Sequence, residues 1–119
     1  MHLSFQLKDL LMQLYGLKTC DTTRKALKTL REAGLEVTYI DVRSDGVPAD
    51  LLSWFLVAFG DELVNKRSTT WRGLSDSERA GDAHVLLLEH PTLMKRPVIH
   101  ADEGFYLGWN ADVEAALLG

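Results

Sequence analysis

The residue in this sequence best suited to chemistry is its single cysteine, Cys20. Cys20 follows a short apolar run and precedes a segment with helical spacing, so we expect it at the start of a helix. Backbone N–H groups at a helix N-terminus are unpaired and carry partial positive charge, which favours a reactive thiolate. Lys18, Arg24 and Lys25 add positive charge nearby. An inert, buried small side chain is the alternative, but this placement favours a reactive sulfur.

Thr23 stands where the second cysteine of a C-x-x-C pair would be. A dithiol cycle within the chain is therefore excluded, and any resolving thiol must come from outside. With one cysteine no intrachain disulfide forms, so the sequence does not imply an oxidising compartment.

Two basic segments are candidates for binding an anionic substrate. The segment NKRSTTWR (65–72) combines three cations with three hydroxyls in a loop-like stretch, as in an anion cradle; the alternative is a solvated loop. In MKRPVIH (94–100), Arg96 precedes a predicted strand. Pro97 cannot donate to a central ladder, so it must occupy the start or an edge of that strand, where a cis peptide is tolerated. The alternative for this segment is an ordinary loop-to-strand junction without a binding role.

The order of elements predicts a mixed α/β sheet. Strands are expected over 14–17 (led in from Met12), 37–42, 97–100 and 105–108, with a helix over 21–33 after the first strand. A β-α-β unit requires a parallel pair, and a late hairpin joined at 102–104 an antiparallel one. Helix caps are expected at Asp21 or Thr22, in a capping box from Ser75 to Glu78, and at Asn110.

Composition excludes several classes of function. A net charge of -4 argues against a nucleic-acid-binding protein that works by bulk electrostatics. The longest apolar stretch, 51–59, is too short to span a bilayer, and no export signal is evident, so no membrane association and a cytoplasmic location are expected. The spacing of the histidines and the single cysteine argue against a metal site.

Taken together, YGLKTCDTTRKA (15–26), NKRSTTWR (65–72) and LMKRPVIH (93–100) resemble the arsenate-reductase-related (ArsC/Spx) family, above all its YffB-like branch. The resemblance runs over residues 12–119, with 1–11 as an N-terminal extension. It implies a thioredoxin-like (glutaredoxin-type) fold: a mixed four-stranded sheet with a helical insertion at about 48–95, and a cis proline, Pro97, opening the third strand.

The same resemblance implies roles for individual residues. Cys20 matches the family's nucleophile, while Arg67 and Arg96 match its two oxyanion-binding arginines. Lys18, Thr23, Arg24 and Pro97 are the expected supporting residues. Two features of the arsenate reductases are missing: the His-Asn-Pro lead into the cysteine, and a further arginine near the last strand, where this chain has LGWN (107–110).

We therefore expect a glutathione-dependent thiol oxidoreductase with glutathione as cosubstrate, glutaredoxin as a further partner, and no metal. One alternative is a true arsenate reductase coupled to glutathione and glutaredoxin. The other is a Spx-like regulator that binds RNA polymerase without catalysis.

Overall fold

The computed structural model describes residues 12–101 and 104–119. The predicted extension at 1–11, and positions 102 and 103 of the predicted turn, lie outside this range.

The four strands form one mixed sheet in the order β2-β1-β3-β4. Strand β1 (Met12–Gly16) pairs in parallel with β2 (Val37–Asp41) and antiparallel with β3 (Val98–Ala101), and β3 pairs antiparallel with β4 (Gly104–Leu107). This is the thioredoxin-like, glutaredoxin-type α/β arrangement that the sequence predicted. The strand boundaries differ slightly, since Leu17 and Val42 lie just beyond the strands to which they were assigned.

Two helices belong to the same compact unit as the sheet. Helix α1 (Asp21–Glu32) links the parallel strands, and the last helix of the chain covers Ala111–Leu118. Alternate strand residues point to one face of the sheet, where Leu14 and Ile99 pack with Ala26 and Leu30 of α1. This layer fixes the end of β1 and the start of α1, and Cys20 lies between them.

The second compact unit comprises Val42–Lys95 and is helical. It contains α2 (Ala49–Phe59), α3 (Thr69–Arg72), α4 (Asp76–Arg79) and α5 (Ala83–Glu89), with 3-10 turns at Gly60–Leu63 and Pro91–Leu93; in this numbering the last helix, Ala111–Leu118, is α6. Backbone bonds from Asn65 N to Leu93 O (2.9 Å) and from Lys95 N to Leu63 O (2.7 Å) join the segments that follow the two turns.

Local capping explains most boundaries within the helical unit. The predicted capping box is present, with Ser75 and Glu78 bonding each other's backbone N–H groups, and Asn110 caps α6 as predicted. The loop predicted over 65–72 was partly wrong because it contains α3. There the Ser68 side chain accepts from Trp71 N, and Arg79 both donates to Trp71 O and lies 5.8 Å from the Trp71 ring centroid.

Candidate active site

Cys20 is the N-cap residue of α1. Its backbone is extended (φ -90°, ψ 118°), its N–H donates to Leu17 O at 3.0 Å, and its carbonyl accepts from Arg24 N at 3.0 Å. The predicted cap at Asp21 or Thr22 was wrong by one or two positions, because the chain leaves β1 through a tight turn that ends at Cys20. The cysteine is partly exposed, so its sulfur combines access to solvent with contact to the helix start.

Opposing effects act on the ionisation of Cys20, and their net result is a lowered pKa. Burial is the largest single effect and raises the pKa, since it disfavours the charged thiolate. Hydrogen bonds to the sulfur lower the pKa and together outweigh burial. They come from the Thr23 side chain, the backbone N–H groups of Thr23 and Thr22, and the Arg96 side chain. The Cys20 side chain makes no capping hydrogen bond of ordinary geometry, but the backbone N–H groups of Thr22 and Thr23 lie close enough to its sulfur to favour the thiolate.

Thr23 is held beside Cys20 by both packing and hydrogen bonding. It is 1% exposed, and its Oγ1 accepts from the backbone N–H of Leu17 at 3.4 Å. Because Gly16 has no Cβ atom, the Thr23 side chain can occupy the space next to its α carbon. Thr23, which stands in place of a second cysteine, is thus buried and fixed in position next to Cys20.

Arg24 contacts both Asp21 and Lys18 next to the cysteine. Arg24 forms an ion pair with Asp21 and donates through Nη1 to the Lys18 carbonyl oxygen at 2.6 Å. The groups that lower the pKa of Cys20 include neither side chain. The predicted contribution of Lys18 and Arg24 to thiol ionisation stays a prediction. Within this site, Arg24 ties the turn before Cys20 to the first turn of α1.

Arg96 reaches the Cys20 sulfur from the start of β3. The Arg96–Pro97 peptide is cis, as predicted, and Pro97 is fully buried. The Pro97 carbonyl accepts from Gly108 N at 2.8 Å, which fixes this junction against the end of β4. The unit that contains the sheet thus brings together Cys20, Thr23 and Arg96.

Arg67 belongs to the helical unit. Its side chain is exposed, and its backbone N–H donates to Asn65 Oδ1 at 3.1 Å. Arg67 lines a pocket of about 490 Å³ whose wall combines three cations with two carboxylates. The pocket residues are Asp61, Glu62, Val64, Asn65, Lys66, Arg67 and Lys95. A guanidinium group in such a pocket is suited to bind a carboxylate or an oxyanion. The role of Arg67 beside Cys20 stays a prediction.

Two features of the site escaped the sequence analysis. The close approach of Gly16 to Thr23 carries no pattern in the sequence, because it depends on how β1 meets α1. The Asp21–Arg24 pair did leave a signal, since acid and base stand three residues apart at a helix start, where side chains lie on one face.

Residues 12–101 and 104–119 contain neither a cluster of metal ligands nor a membrane-spanning helix. No group of three or more His, Cys, Asp or Glu side chains there could hold a metal ion. No helix in the same ranges has the length and apolar character to cross a bilayer.

Comparison with known proteins identifies the family of this chain. The ArsC family matches residues 15–117. The chain belongs to this family. Its relatives include a Haemophilus influenzae protein without an assigned function, 42% identical over 84% of this chain and 92% of that protein. Another is the global transcriptional regulator Spx of Staphylococcus epidermidis, 27% identical over 86% of this chain and 82% of that protein.

Among solved structures, a YffB protein has a TM-score of 0.83 and 29% identity, covering 91% of this chain and 99% of that one. This ArsC-family chain is therefore a YffB-like member, related to both the arsenate reductases and the Spx regulators.

Proposed function

We propose that this ArsC-family protein is a glutathione-dependent thiol oxidoreductase with Cys20 as its single nucleophile. The observation that carries the proposal is the position of Cys20 at the start of α1, with its pKa lowered by Thr22, Thr23 and Arg96. A thiolate is the nucleophilic form of cysteine. A thiol whose pKa lies below its ordinary value therefore supplies more nucleophile at neutral pH.

The reaction proceeds by two disulfide exchanges. The Cys20 thiolate attacks the glutathione sulfur of a mixed disulfide R–S–S–G, which forms Cys20–S–S–G and releases RS⁻, which takes up a proton. The thiolate of a second glutathione then attacks the glutathione sulfur of that adduct, which releases the Cys20 thiolate and oxidised glutathione. One disulfide is reduced and one is formed, so the electron count closes with glutathione as the reductant.

The arginines recognise anionic groups of the substrate. Arg96, next to the sulfur, stabilises the thiolate and binds a carboxylate of the incoming glutathione. Arg67 supplies a second guanidinium for the remaining negative charge. The proposal places the reaction in the cytoplasm, where glutathione is kept reduced.

Two related activities are alternatives. Membership of the ArsC family favours arsenate reduction coupled to glutathione and glutaredoxin, but this chain has Trp109 and its neighbours where those enzymes carry a third arginine. The relationship to Spx favours a regulator that binds RNA polymerase, but Thr23 replaces the second cysteine of the C-x-x-C switch.

A mixed disulfide of glutathione and mercaptoethanol tests the proposal, with glutathione reductase and NADPH following oxidised glutathione. We expect turnover that Cys20→Ser abolishes and that Arg96→Gln lowers about tenfold or more, because a hydrogen bond to a charged group is lost. We expect Arg67→Gln to raise KM for glutathione. Lys28→Gln, an exposed lysine two turns further along α1, is the matched control.

Absence of turnover with the unsubstituted protein would refute the oxidoreductase proposal. Arsenate turnover that depends on Cys20, without activity on the mixed disulfide, would identify an arsenate reductase instead. Recovery of RNA polymerase subunits on the immobilised protein, together with no thiol exchange, would identify a Spx-like regulator.

A further inference from the structure

Four of the five large apolar side chains that are well exposed within residues 12–101 and 104–119 lie on α2 and α5. Trp54 and Val57 on α2 are 61% and 78% exposed, and Val85 and Leu88 on α5 are 50% and 43% exposed. We call these four residues the outer apolar patch. Single exposed apolar residues are common, but a concentration on two helices of one unit is typical of an interaction surface.

The patch lies along the line where α2 meets α5. His84 Nε2 lies 2.9 Å from the Ala49 carbonyl oxygen and 3.1 Å from Ser53 Oγ, which joins the two helices. Residues four apart share one face of a helix, so Val57 lies one turn from Ser53, and Leu88 lies one turn from His84. The exposed apolar groups of both helices therefore border the same contact line.

The helical unit does not need the patch for its own core. Leu52 and Phe55 of α2 are 1% and 0% exposed, and Leu86 and Leu87 of α5 are 6% and 3% exposed. These side chains already fill the interior side of both helices. The patch residues are apolar on the opposite side, where a polar side chain would stabilise the free protein equally well.

Two carboxylates flank the patch. Asp50 lies one turn before Trp54, and Glu89 lies one turn after Val85, so each acid shares a helix face with a patch residue. The sequences of α2 and α5 contain no Lys or Arg, although the chain has 13 of these cations. The two helices that carry the patch are thus acidic.

We propose that the outer apolar patch binds a cationic amphipathic helix of a partner protein. Apolar side chains of that helix would cover the patch, and its Lys or Arg side chains would face the carboxylates. Charge distinguishes the possible occupants: a second copy would bring its own Asp50 and Glu89 against these carboxylates, and an anionic membrane surface would be repelled in the same way. A basic helix satisfies both the apolar and the charged parts of the surface.

The test uses the full-length protein and two synthetic helices. One peptide has Leu at helical spacing with Lys at the other positions, and the other has Glu in place of each Lys. We expect calorimetric binding of the Leu/Lys peptide only. The double variant Trp54→Ser/Val57→Ser should weaken that binding by about tenfold or more, because central apolar anchors dominate such interfaces. Leu118→Ser, an exposed leucine on α6, is the matched control.

A second variant examines charge separately. Asp50→Lys/Glu89→Lys should reverse the preference, so that the Leu/Glu peptide binds more tightly than the Leu/Lys peptide. Unfolding midpoints and the mixed-disulfide activity serve as folding controls, since the patch is exposed and outside the proposed catalytic machinery.

Three results would overturn the proposal. The first is equal binding of both peptides, and the second is unchanged binding by the Trp54/Val57 variant. The third is a different occupant: dimerisation in sedimentation that this variant abolishes, or patch-dependent binding to phosphatidylserine vesicles.

Discussion

Thr23 lies so close to Gly16 that a Cβ atom added to the glycine would stand 2.5 Å from both Oγ1 and Cγ2 of the threonine. The end of β1 and the first turn of α1 are therefore in direct contact beneath Cys20. This contact couples the stability of the fold to the environment of the sulfur.

Gly16→Ala is expected to destabilise the protein by about 1–3 kcal/mol, the usual cost of forcing an extra methyl group into a packed interior. Urea unfolding followed by circular dichroism measures the change. The matched control is Gly73→Ala, where an added Cβ would meet its nearest atoms at 3.6 Å, an ordinary contact. Equal stability of the two variants would show that the Gly16–Thr23 contact is not tight in solution.

Thr23→Val keeps the shape of the side chain but removes its hydroxyl. We expect the pKa of Cys20 to rise, because the hydroxyl is one of the groups that favour the thiolate. The rate of alkylation by iodoacetamide as a function of pH measures this shift. Thr29→Val serves as a control on the same helix, since the Thr29 hydroxyl donates to the Lys25 carbonyl oxygen instead. A pKa unchanged by Thr23→Val would assign thiol ionisation to the amides and Arg96 alone.

Arg96→Gln should raise the pKa of Cys20, since the guanidinium no longer stabilises the thiolate. Arg24→Gln should raise that pKa less than Arg96→Gln does, because Arg24 belongs to a solvent-exposed ion pair whereas Arg96 hydrogen-bonds to the sulfur. Thiolate absorbance in the ultraviolet, recorded during a pH titration of both variants, measures the difference. The opposite ranking would support the electrostatic role that the sequence suggested for Arg24.

The lowered pKa of Cys20 also predicts how stability depends on pH. The folded protein releases the thiol proton at a lower pH than the unfolded chain does, so between those two pKa values it binds fewer protons, and stability rises with pH. The stabilising contribution is complete above the unfolded pKa and is lost as the pH falls through the folded pKa. We expect the unfolding free energy of the unsubstituted protein, minus that of Cys20→Ser, to grow with pH over this window. A difference that stays constant across the window would contradict the lowered pKa.

Much of the fold was predictable because local chemistry specifies it. The capping box at Ser75 and the cap at Asn110 are determined by residues close in sequence. The cis peptide before Pro97 was implied by the resemblance to the ArsC/Spx family, whereas the position of a proline at a strand start only permitted it. The helix Thr69–Arg72 was missed because Trp71 and Arg79, eight residues apart, stabilise it together.

The site was predictable in its parts and less so in its electrostatics. Counting charges along the sequence favoured Lys18 and Arg24, which are close to Cys20 in the chain. The family resemblance implied Arg96, and the structure brings it, 76 positions away in the chain, to the sulfur through the pairing of β3 with β1. Only the sheet topology makes these two residues neighbours.

The buried Thr23 in place of a second cysteine also affects the lifetime of a mixed disulfide at Cys20. A neighbouring cysteine would expel a bound thiol within the same molecule, and the adduct would vanish as soon as it formed. In the proposed reaction the Cys20–glutathione conjugate persists until a free thiol arrives, so protein taken from cells and alkylated at once would still carry glutathione. Intact-mass spectrometry of such a sample would detect that glutathione from the mass gained at one position.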